Sequence, residues 1–384
     1  MAAKSGISAQ IGYAIEAVPG TPSVATAFIP LLSDGMGGER ERLESDGIIP
    51  GRRVLDSTMY NGGKLSAGGD VQHELYNRGL GKLFTGMFGT VVSTTGPVSG
   101  KYTHTWTPNE PQPLTVQKGV PATSGTVWPF TYPTSMVESW EIACSAGEIG
   151  TIGVTLASAT EILYRTVTDG VTTSGSAAIT SATAAWVDDD LGKPISGTGI
   201  PAGTTLLSIQ SATNATMSAN ASASGTGVTF TVGIALAAAS YPATLKPFKF
   251  NHGSVTVNGV AQKVKQLTVS GDNGLDTDRW FLGQLGRDQP LEAGLHAYDG
   301  SFEIEFSSMT QMQRFVAGDN FPCVVAFANS SGDSLTLTMN VRFDGETPKV
   351  GGRDIVSQNL AFKCVGTTDA AAITAVLVNA DATP

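Results

Sequence analysis

Two stretches of the sequence decide its fold class, Ser66-Ala-Gly-Gly-Asp-Val-Gln-His-Glu-Leu75 and Gly300-Ser-Phe-Glu-Ile-Glu-Phe306. Both alternate between polar and apolar side chains, which predicts a β-strand with one face toward a core. Each is followed by apolar residues at helical spacing, from Leu80 to Phe88 after the first stretch and from Met309 to Val316 after the second. We therefore predict that a strand followed by a short α-helix occurs twice in the chain.

Other features repeat around these two stretches in the same order. A turn rich in Ser, Asp and Gly precedes each predicted strand, at Glu44–Gly47 and at Val269–Asp272. A strand that contains cysteine follows each predicted helix, at Trp140–Gly147 and at Leu360–Gly366. The shared order of turn, strand, helix and cysteine strand predicts an internal duplication.

The composition also favours a mainly β protein. Charged residues make up 15% of the 384-residue chain, which contains 46 glycines and is 41% hydrophobic. Few charges, many small residues and β-branched runs favour strands over helices, and the apolar content is high enough for folding. The formal net charge of −10 argues against tight binding to nucleic acid, because such binding needs a concentrated basic surface.

Residues 169–234 differ in composition from the rest of the chain. They contain a single basic residue, Lys193, and short strand-like runs separated by Gly, Pro and Asn turns. This pattern predicts a small inserted β-sandwich or β-barrel. Its three adjacent acids, Asp188 to Asp190, fit a solvated turn better than a calcium loop because they lack EF-hand spacing. The predicted domains are 1–168 (with an extended N-terminal arm to about residue 53), 169–234 and 235–384.

The sequence carries no pattern that predicts catalysis or a cofactor. The four histidines are scattered, and none has the spacing of a metal ligand set. Neither a P-loop nor a dinucleotide-binding glycine motif is present. Asp272, Asp276 and Asp278 fit a turn better than a cation loop, since the bidentate Glu of an EF-hand is missing. We therefore predict that the protein is not an enzyme and holds no cofactor or metal.

The sequence gives no indication of a membrane partner. No apolar stretch approaches the ~20 residues that a helix needs to cross a bilayer. Residues Met1 to Gly20 lack the apolar core of a secretory signal. We expect a soluble protein that is made in the cytoplasm.

Five segments of the chain form a characteristic series, in the order Ile11–Pro22, Ala27–Leu32, Pro50–Val54, Gly68–Glu74 and Lys246–Gly259. Together they resemble the major tail tube proteins of long-tailed, siphovirus-type bacteriophages. The predicted insert resembles the immunoglobulin-like or adhesin-like domains that decorate phage structural proteins.

The resemblance implies a tube fold, a β-sandwich flanked by a short helix, whose sheets join those of neighbouring subunits. Roughly 320 residues remain outside the insert, enough for two domains of ~150 residues. We therefore expect a ring of three subunits with pseudo-sixfold symmetry, with a ring of six as the alternative, and stacking of the rings. The resemblance further implies a location in the virion tail, assembly in the host cytoplasm, and contacts with tape measure, tail-tip and terminator proteins.

Two of the predicted strands carry candidate lumen-lining residues. Asp70, Gln72 and Glu74 share one face of the first strand, and Glu303 and Glu305 share one face of the second. These faces are either ordinary solvated sides of a sheet or the wall of a channel for DNA. An acidic wall would repel phosphate over a Debye length of about 8–10 Å, so that DNA passes without specific binding.

Two other classes of protein fit part of the pattern. A capsid or neck decoration protein would share the β composition and the insert, but would not need the strand and helix twice. A cell-surface carbohydrate-binding adhesin would also tolerate the insert. Such an adhesin would normally have a binding face rich in aromatic residues, which are only 7% of this chain.

Overall fold

The computed structural model describes residues 3–54, 56, 59–344, 347, 348, 350, 353 and 355–384. Antiparallel strands dominate this part of the chain, and its helices are short. The first half contains β1 (Gln10–Ile15), β2 (Ala27–Phe28), β3 (Leu31–Asp34), β4 (Gly37–Glu44), β5 (Tyr60–Glu74), α1 (Gly81–Phe88), β6 (Val91–Thr95), β7 (Tyr102–Trp106), β8 (Leu114–Pro121), β9 (Val127–Ser145), β10 (Thr151–Ser158) and β11 (Ile162–Leu163).

The middle of the chain forms a separate sheet, the inserted module, and the second half returns to the main body. The inserted module contains β12 (Arg165–Thr172), β13 (Ala178–Thr180), β14 (Ile195–Gly197), β15 (Leu206–Ser211), β16 (Asn214–Met217) and β17 (Gly225–Val232). The second half contains β18 (Gly253–Val257), β19 (Val260–Gln262), β20 (Val264–Asp272), β21 (Leu275–Asp276), β22 (Leu291–Glu292), β23 (Ala297–Glu305), α2 (Thr310–Ala317), β24 (Phe321–Ala328), β25 (Ser334–Asp344), β26 (Ser357–Cys364), α3 (Asp369–Ala372) and β27 (Ile373–Asn379).

The two predicted strand-then-helix units are confirmed. β5 leads into α1, whose apolar residues from Leu83 to Phe88 are buried in the core. β23 leads into α2, which ends at Gly318 with a φ of 68°. A residue with this left-handed backbone conformation is usually glycine, which has no Cβ to clash with the preceding turn.

The internal duplication is visible in the order of the strands. In the first half the sheet runs β4–β5–β10–β9, and in the second half it runs β20–β23–β26–β25. β9 pairs with β20, so the two sets form one eight-stranded antiparallel sheet. A second layer repeats as well, since β1–β8–β9 corresponds to β18–β24–β25. One hydrophobic core lies between the layers and extends through both halves.

Two details of the predicted repeat are wrong. The predicted turn at Val269–Asp272 is the end of strand β20. The two cysteine strands are not equivalent, because Cys144 lies in β9 and Cys364 lies in β26, whereas the strand order matches β9 to β25. Strand equivalence depends on which strands pair, and a single shared residue type does not report the pairing.

The N-terminal residues are integrated into the body of the protein rather than extended from it. β1 pairs with β8, and its Ile11 and Tyr13 side chains are fully buried. β4 pairs with β5 along its length. The longer stretches of this region without strand or helix are residues 16–26 and residues 45–54. The predicted arm to about residue 53 is therefore, for most of its length, part of the two-layered fold.

The inserted module folds around a core of its own. Its sheet has the order β14–β17–β12–β13–β16–β15, and a bridge between Pro194 and Thr205 brings the two edges together. Trp186 and Phe230 stack at its centre with ring centroids 5.6 Å apart. The sheet begins at Arg165, inside the range that the sequence assigned to the first half. In the part of the chain that the structure describes, no helix is long and apolar enough to cross a membrane.

Candidate lumen surface and subunit edges

The eight-stranded sheet has one face on the core and one face, here called the open face, that points away from it. On β23 the side chains of Phe302 and Ile304 are buried, whereas Glu303 is half-buried and Glu305 is exposed. On β5 Val71 and His73 are buried, whereas Asp70 and Gln72 are exposed and Glu74 is half-buried. The five candidate residues therefore share the open face, as the alternation predicted.

The register of the sheet places the candidates from both halves on a continuous surface. Asp70 lies opposite Thr155, Thr155 opposite Ser139, and Ser139 opposite Asp272, so this row crosses from the first half to the second. The row forms part of a concavity of about 500 Å³. Asp272 lies opposite Ala297, the first residue of β23. Glu303 and Glu305 lie on the same strand, toward its other end.

Further acidic residues occupy the open face beside the predicted ones. Glu141 of β9, Asp272 of β20 and Asp299 of β23 line the same concavity. Sequence reasoning missed Glu141 and Asp299, although each has an open-face position in an alternating strand. Asp272 had been interpreted as part of a turn. The basic residues Lys363 and Arg342 form the row that continues from Asp299.

The open-face acids are spread out rather than gathered into a binding cluster. Thr155 donates a hydrogen bond to Asp70 at 2.7 Å, and Lys265 lies 3.3 Å from Glu305. Among the described residues, no three His, Cys, Asp or Glu side chains lie close enough together to hold a metal ion. Separated carboxylates repel a polyanion where they predominate, and Lys265, Lys363 and Arg342 offset part of this negative charge.

Among the described residues, the strand segments at the two ends of the eight-stranded sheet pair on one side only, whereas the strands in the middle pair on both sides. β20 has β23 on one side and β9 on the other. Its counterpart β4 pairs with β5, and within the described residues no strand covers its other side. At the opposite end, Arg342–Asp344 of β25 pairs with β26. Its counterpart in β9 has β20 on the second side. Exposed strand edges of this kind are templates for pairing with another chain.

The acidic run at Asp188–Asp190 lies where the inserted module meets the main body. The Asp190 carboxylate is fully buried and lies 2.6 Å from Arg165 and 3.2 Å from Lys193. Burial alone would raise the pKa of Asp190, but the Arg165 guanidinium and the Lys193 ammonium hold it below its ordinary value. Asp189 forms an ion pair with Arg40 of β4. The solvated-turn interpretation therefore holds for Asp188 alone.

Comparison with known families places the chain. The sequence matches the phage tail tube protein family over residues 6–205 and again over residues 180–364. Comparison with curated proteins gives no match. The two family matches follow the two halves of the strand order described above. The chain belongs to the phage tail tube protein family.

This membership fixes the general role of the protein. It is a structural component of a bacteriophage tail and not an enzyme. The family is that of the tail tube, which distinguishes this chain from a capsid decoration protein and from an adhesin.

Proposed function

We propose that three copies of this protein close into a ring through the two open ends of the eight-stranded sheet, and that the rings stack into a hollow tube through which phage DNA is ejected. The observation that carries this proposal is the β9–β20 pairing inside the chain. It joins two equivalent halves, and the same kind of pairing between β25 of one copy and β4 of the next would continue the sheet. Repetition of one head-to-tail contact between two different edges closes a ring when the rotation per copy divides the full circle.

The pairing registers predict which residues meet at this contact. The pairing of β25 with β26 corresponds to the pairing of β9 with β10. Arg342 opposite Lys363 matches Met136 opposite Ala157, so Arg342 corresponds to Met136. Asp344 opposite Ala361 matches Ser139 opposite Thr155, so Asp344 corresponds to Ser139. In the same way Glu39, opposite Ser66, corresponds to Asp272, opposite Ala297. Because Ser139 pairs with Asp272 inside the chain, Asp344 should pair with Glu39 of the next copy.

The number of strands favours three copies over six. Three eight-stranded sheets give a barrel whose backbone circumference is about 115 Å at ~4.8 Å per strand, before strand tilt widens it. Such a barrel has room for one DNA duplex. Six copies would double the circumference and leave a channel far wider than the duplex that it must guide.

The open face would then be the wall of the channel. Asp70, Gln72, Glu74, Glu303 and Glu305 would line it together with the further acids of the concavity. Negative charge on the wall lets DNA slide without adhering, because carboxylates form no ion pairs with the phosphates of the DNA. Phage DNA would pass without specific binding, as the net charge of −10 suggests.

The remaining parts of the proposal concern the tail as a whole. The tail would be of the siphovirus type, with a tape measure protein inside the tube and tail-tip and terminator proteins at its ends. Assembly would take place in the host cytoplasm. The inserted module, which in sequence resembles immunoglobulin-like or adhesin-like domains, would stand on the outside of the tube. Its attachment through β4 and β11, on the side away from the open face, supports this position.

The ring contact can be tested by disulfide trapping. The double variant Asp344→Cys with Glu39→Cys should give covalently linked copies under mild oxidation. Both residues are acidic, so the double variant also removes a repulsion between them. The matched control is Ser139→Cys with Asp272→Cys, which should close a bond within one chain because these residues pair directly.

The outcomes separate clearly. We expect linked copies from the first pair, an unlinked chain of altered mobility from the control pair, and neither from the wild-type chain, whose three cysteines are free. If the control pair closes while the first pair yields no linked copies at concentrations where the family's tubes would form, this ring contact is wrong.

A further inference from the structure

The loop between β20 and β23, residues 273–296, lies on the first half of the chain. The Arg287 guanidinium donates hydrogen bonds to the backbone carbonyls of Ala67 at 2.9 Å and Ser158 at 2.7 Å. Leu65 donates its backbone N–H to the carbonyl of Leu285 at 2.8 Å, and a parallel bridge joins Leu65 to Gly286. The second half therefore holds the first half through a loop as well as through the β9–β20 pairing.

Arg287 is well suited to this clamp. Its guanidinium presents several donors in a fixed plane, so it can satisfy two carbonyls on different strands at once. A third carbonyl, that of Thr277, accepts from the same side chain at 2.9 Å. Arg287 also lies over the Trp280 ring, 5.6 Å from its centroid.

The equivalent loop of the first half contains a matching arginine. This loop connects β4 to β5 and carries Gly51-Arg52-Arg53, where the second loop carries Gly286-Arg287-Asp288. Among the described residues, the Arg52 guanidinium has no hydrogen bond to a backbone carbonyl of the sheet. Its side chain is 53% exposed and forms an ion pair with Asp56 at 2.8 Å.

The strand equivalence identifies where the seat for Arg52 would lie. Ser66 corresponds to Ala297, since each lies opposite the equivalent residue of the edge strand, so Leu65 corresponds to His296 and Ala67 to Tyr298. One position beyond the last β23–β26 pair, Asp299 with Lys363, Ser158 corresponds in the same way to Cys364. In the proposed ring, β4 lies next to β25, which belongs to the second half of the neighbouring copy. The corresponding carbonyls are therefore those of Tyr298 and Cys364 on that neighbour.

We propose that Arg52 is an assembly clamp, whose guanidinium donates to the Tyr298 and Cys364 carbonyls of the adjacent copy as Arg287 donates to Ala67 and Ser158. The inference rests on the proposed ring and adds a second, separate contact to it. Pro50 would accept from the His296 N–H of that copy, as Leu285 accepts from Leu65. The clamp joins copies within one ring, and it forms only on assembly.

The test compares three arginine variants in the full chain. Arg52→Ala should leave the thermal unfolding midpoint of the unassembled chain unchanged and raise the concentration needed for assembly at least about tenfold, as expected for loss of hydrogen bonds to a charged group. Arg287→Ala should lower the unfolding midpoint, because its clamp lies within the chain. Arg53→Ala is the matched control and should alter neither quantity.

A second measurement maps the contact directly. With benzoylphenylalanine in place of Arg52, irradiation of assembled protein should link this position to residues 296–299 or 362–365 of another copy. Linkage elsewhere, or an Arg52→Ala assembly threshold equal to that of Arg53→Ala, would overturn the clamp. The Asp344→Cys and Glu39→Cys double variant distinguishes the two proposals. If its disulfide forms and the Arg52 experiments give the contradicting result, the ring contact is supported and the clamp is wrong.

Discussion

Asp190 shows how much a single side chain can contribute to the attachment of a module. Its carboxylate accepts two hydrogen bonds from Arg165, at 2.6 and 3.0 Å, and lies inside the protein. Arg165 begins the first strand of the inserted module, so the pair holds the start of that strand in place within the module. The neighbouring Asp189 completes the attachment through Arg40.

Replacement of Asp190 with Asn should destabilise the inserted module by about 2–3 kcal/mol. The substitution leaves the Lys193 and Arg165 charges without their counterion, and removal of one partner from a buried pair is costly. This is less than the ~3–5 kcal/mol usual for a fully buried pair, because the Arg165 side chain is 34% exposed and water screens its charge. Differential scanning calorimetry of the full chain measures the effect, and Asp188→Asn, at an exposed position, is the control. Equal midpoints for the two variants would contradict this role.

The same carboxyl predicts how stability depends on pH. The folded state holds the pKa of Asp190 below its ordinary value of 3.8. Its contribution is therefore fully present above that ordinary value and is lost as the pH falls through the lowered folded value. We expect the stability difference between wild type and Asp190→Asn to be constant from pH 7 to 5 and to shrink below about pH 4. A difference that grows on acidification would show the opposite sign and rule out this explanation.

At the scale of elements, the inserted module and the tube body form two separate cores. The chain leaves and re-enters the body at adjacent points, since a Cβ added at Gly233 would lie 3.1 Å from the Tyr164 Cα. A domain with adjacent chain ends and its own hydrophobic core can be removed without disturbing the protein into which it is inserted.

Deletion of residues 165–232, with a short Gly-Ser link from Tyr164 to Gly233, should leave assembly intact. Tubes of the variant should have the same lumen and a smaller outer diameter, which electron microscopy measures directly. The variant also removes Asp189, so Arg40→Ala in the full chain serves as a control for loss of that ion pair. Failure of the deleted chain to form rings, while Arg40→Ala forms them, would place the module in the assembly contact.

The open face of β23 gives a prediction for DNA passage. Changing Glu303 and Glu305 to Lys should leave folding nearly unchanged, because exposed charges contribute at most about 1 kcal/mol. Each new phosphate contact should add about 0.9 to the slope of log affinity against log salt. Genome ejection should therefore slow or stall, most clearly at low salt.

The matched control for this change carries the same added charge elsewhere. Asp188 and Glu110 are exposed acids away from the open face, and Lys at both positions should leave ejection as in the wild type. Ejection kinetics that are equal in the two double variants would remove Glu303 and Glu305 from the channel wall.

At the scale of the whole molecule, the duplication determines the expected symmetry. Each chain supplies two equivalent halves, so three chains supply six units around the axis, at 39.6 kDa per chain. Native mass spectrometry of rings, or image averaging of tubes, should find three copies per ring. Weak sixfold features should appear, broken by one inserted module per chain. Six copies per ring would contradict this count while leaving the pairing contact open to separate test.

The strands, their polar faces and the short helices can be predicted from the sequence alone, because they depend on residues that are close together in the chain. The alternation in Ser66–Leu75 and Gly300–Phe306 predicted both strands and their polar faces, because a strand repeats every two residues. The apolar spacing after each stretch predicted α1 and α2 for the same local reason. The change in composition near residue 169 predicts a separate module, and the first strand of the separate sheet starts at Arg165.

The contacts between residues that are distant in the chain are visible in the tertiary structure alone. Strand pairing brings Ser139 opposite Asp272, burial draws Asp190 between Arg165 and Lys193, and a loop carries Arg287 to the carbonyls of Ala67 and Ser158. Each of these contacts joins residues whose separation along the chain leaves no periodic signal, or depends on burial that residue type alone does not reveal. Local periodicity therefore sets the strands and their faces, whereas long-range pairing sets their order, their open edges and the charges enclosed between them.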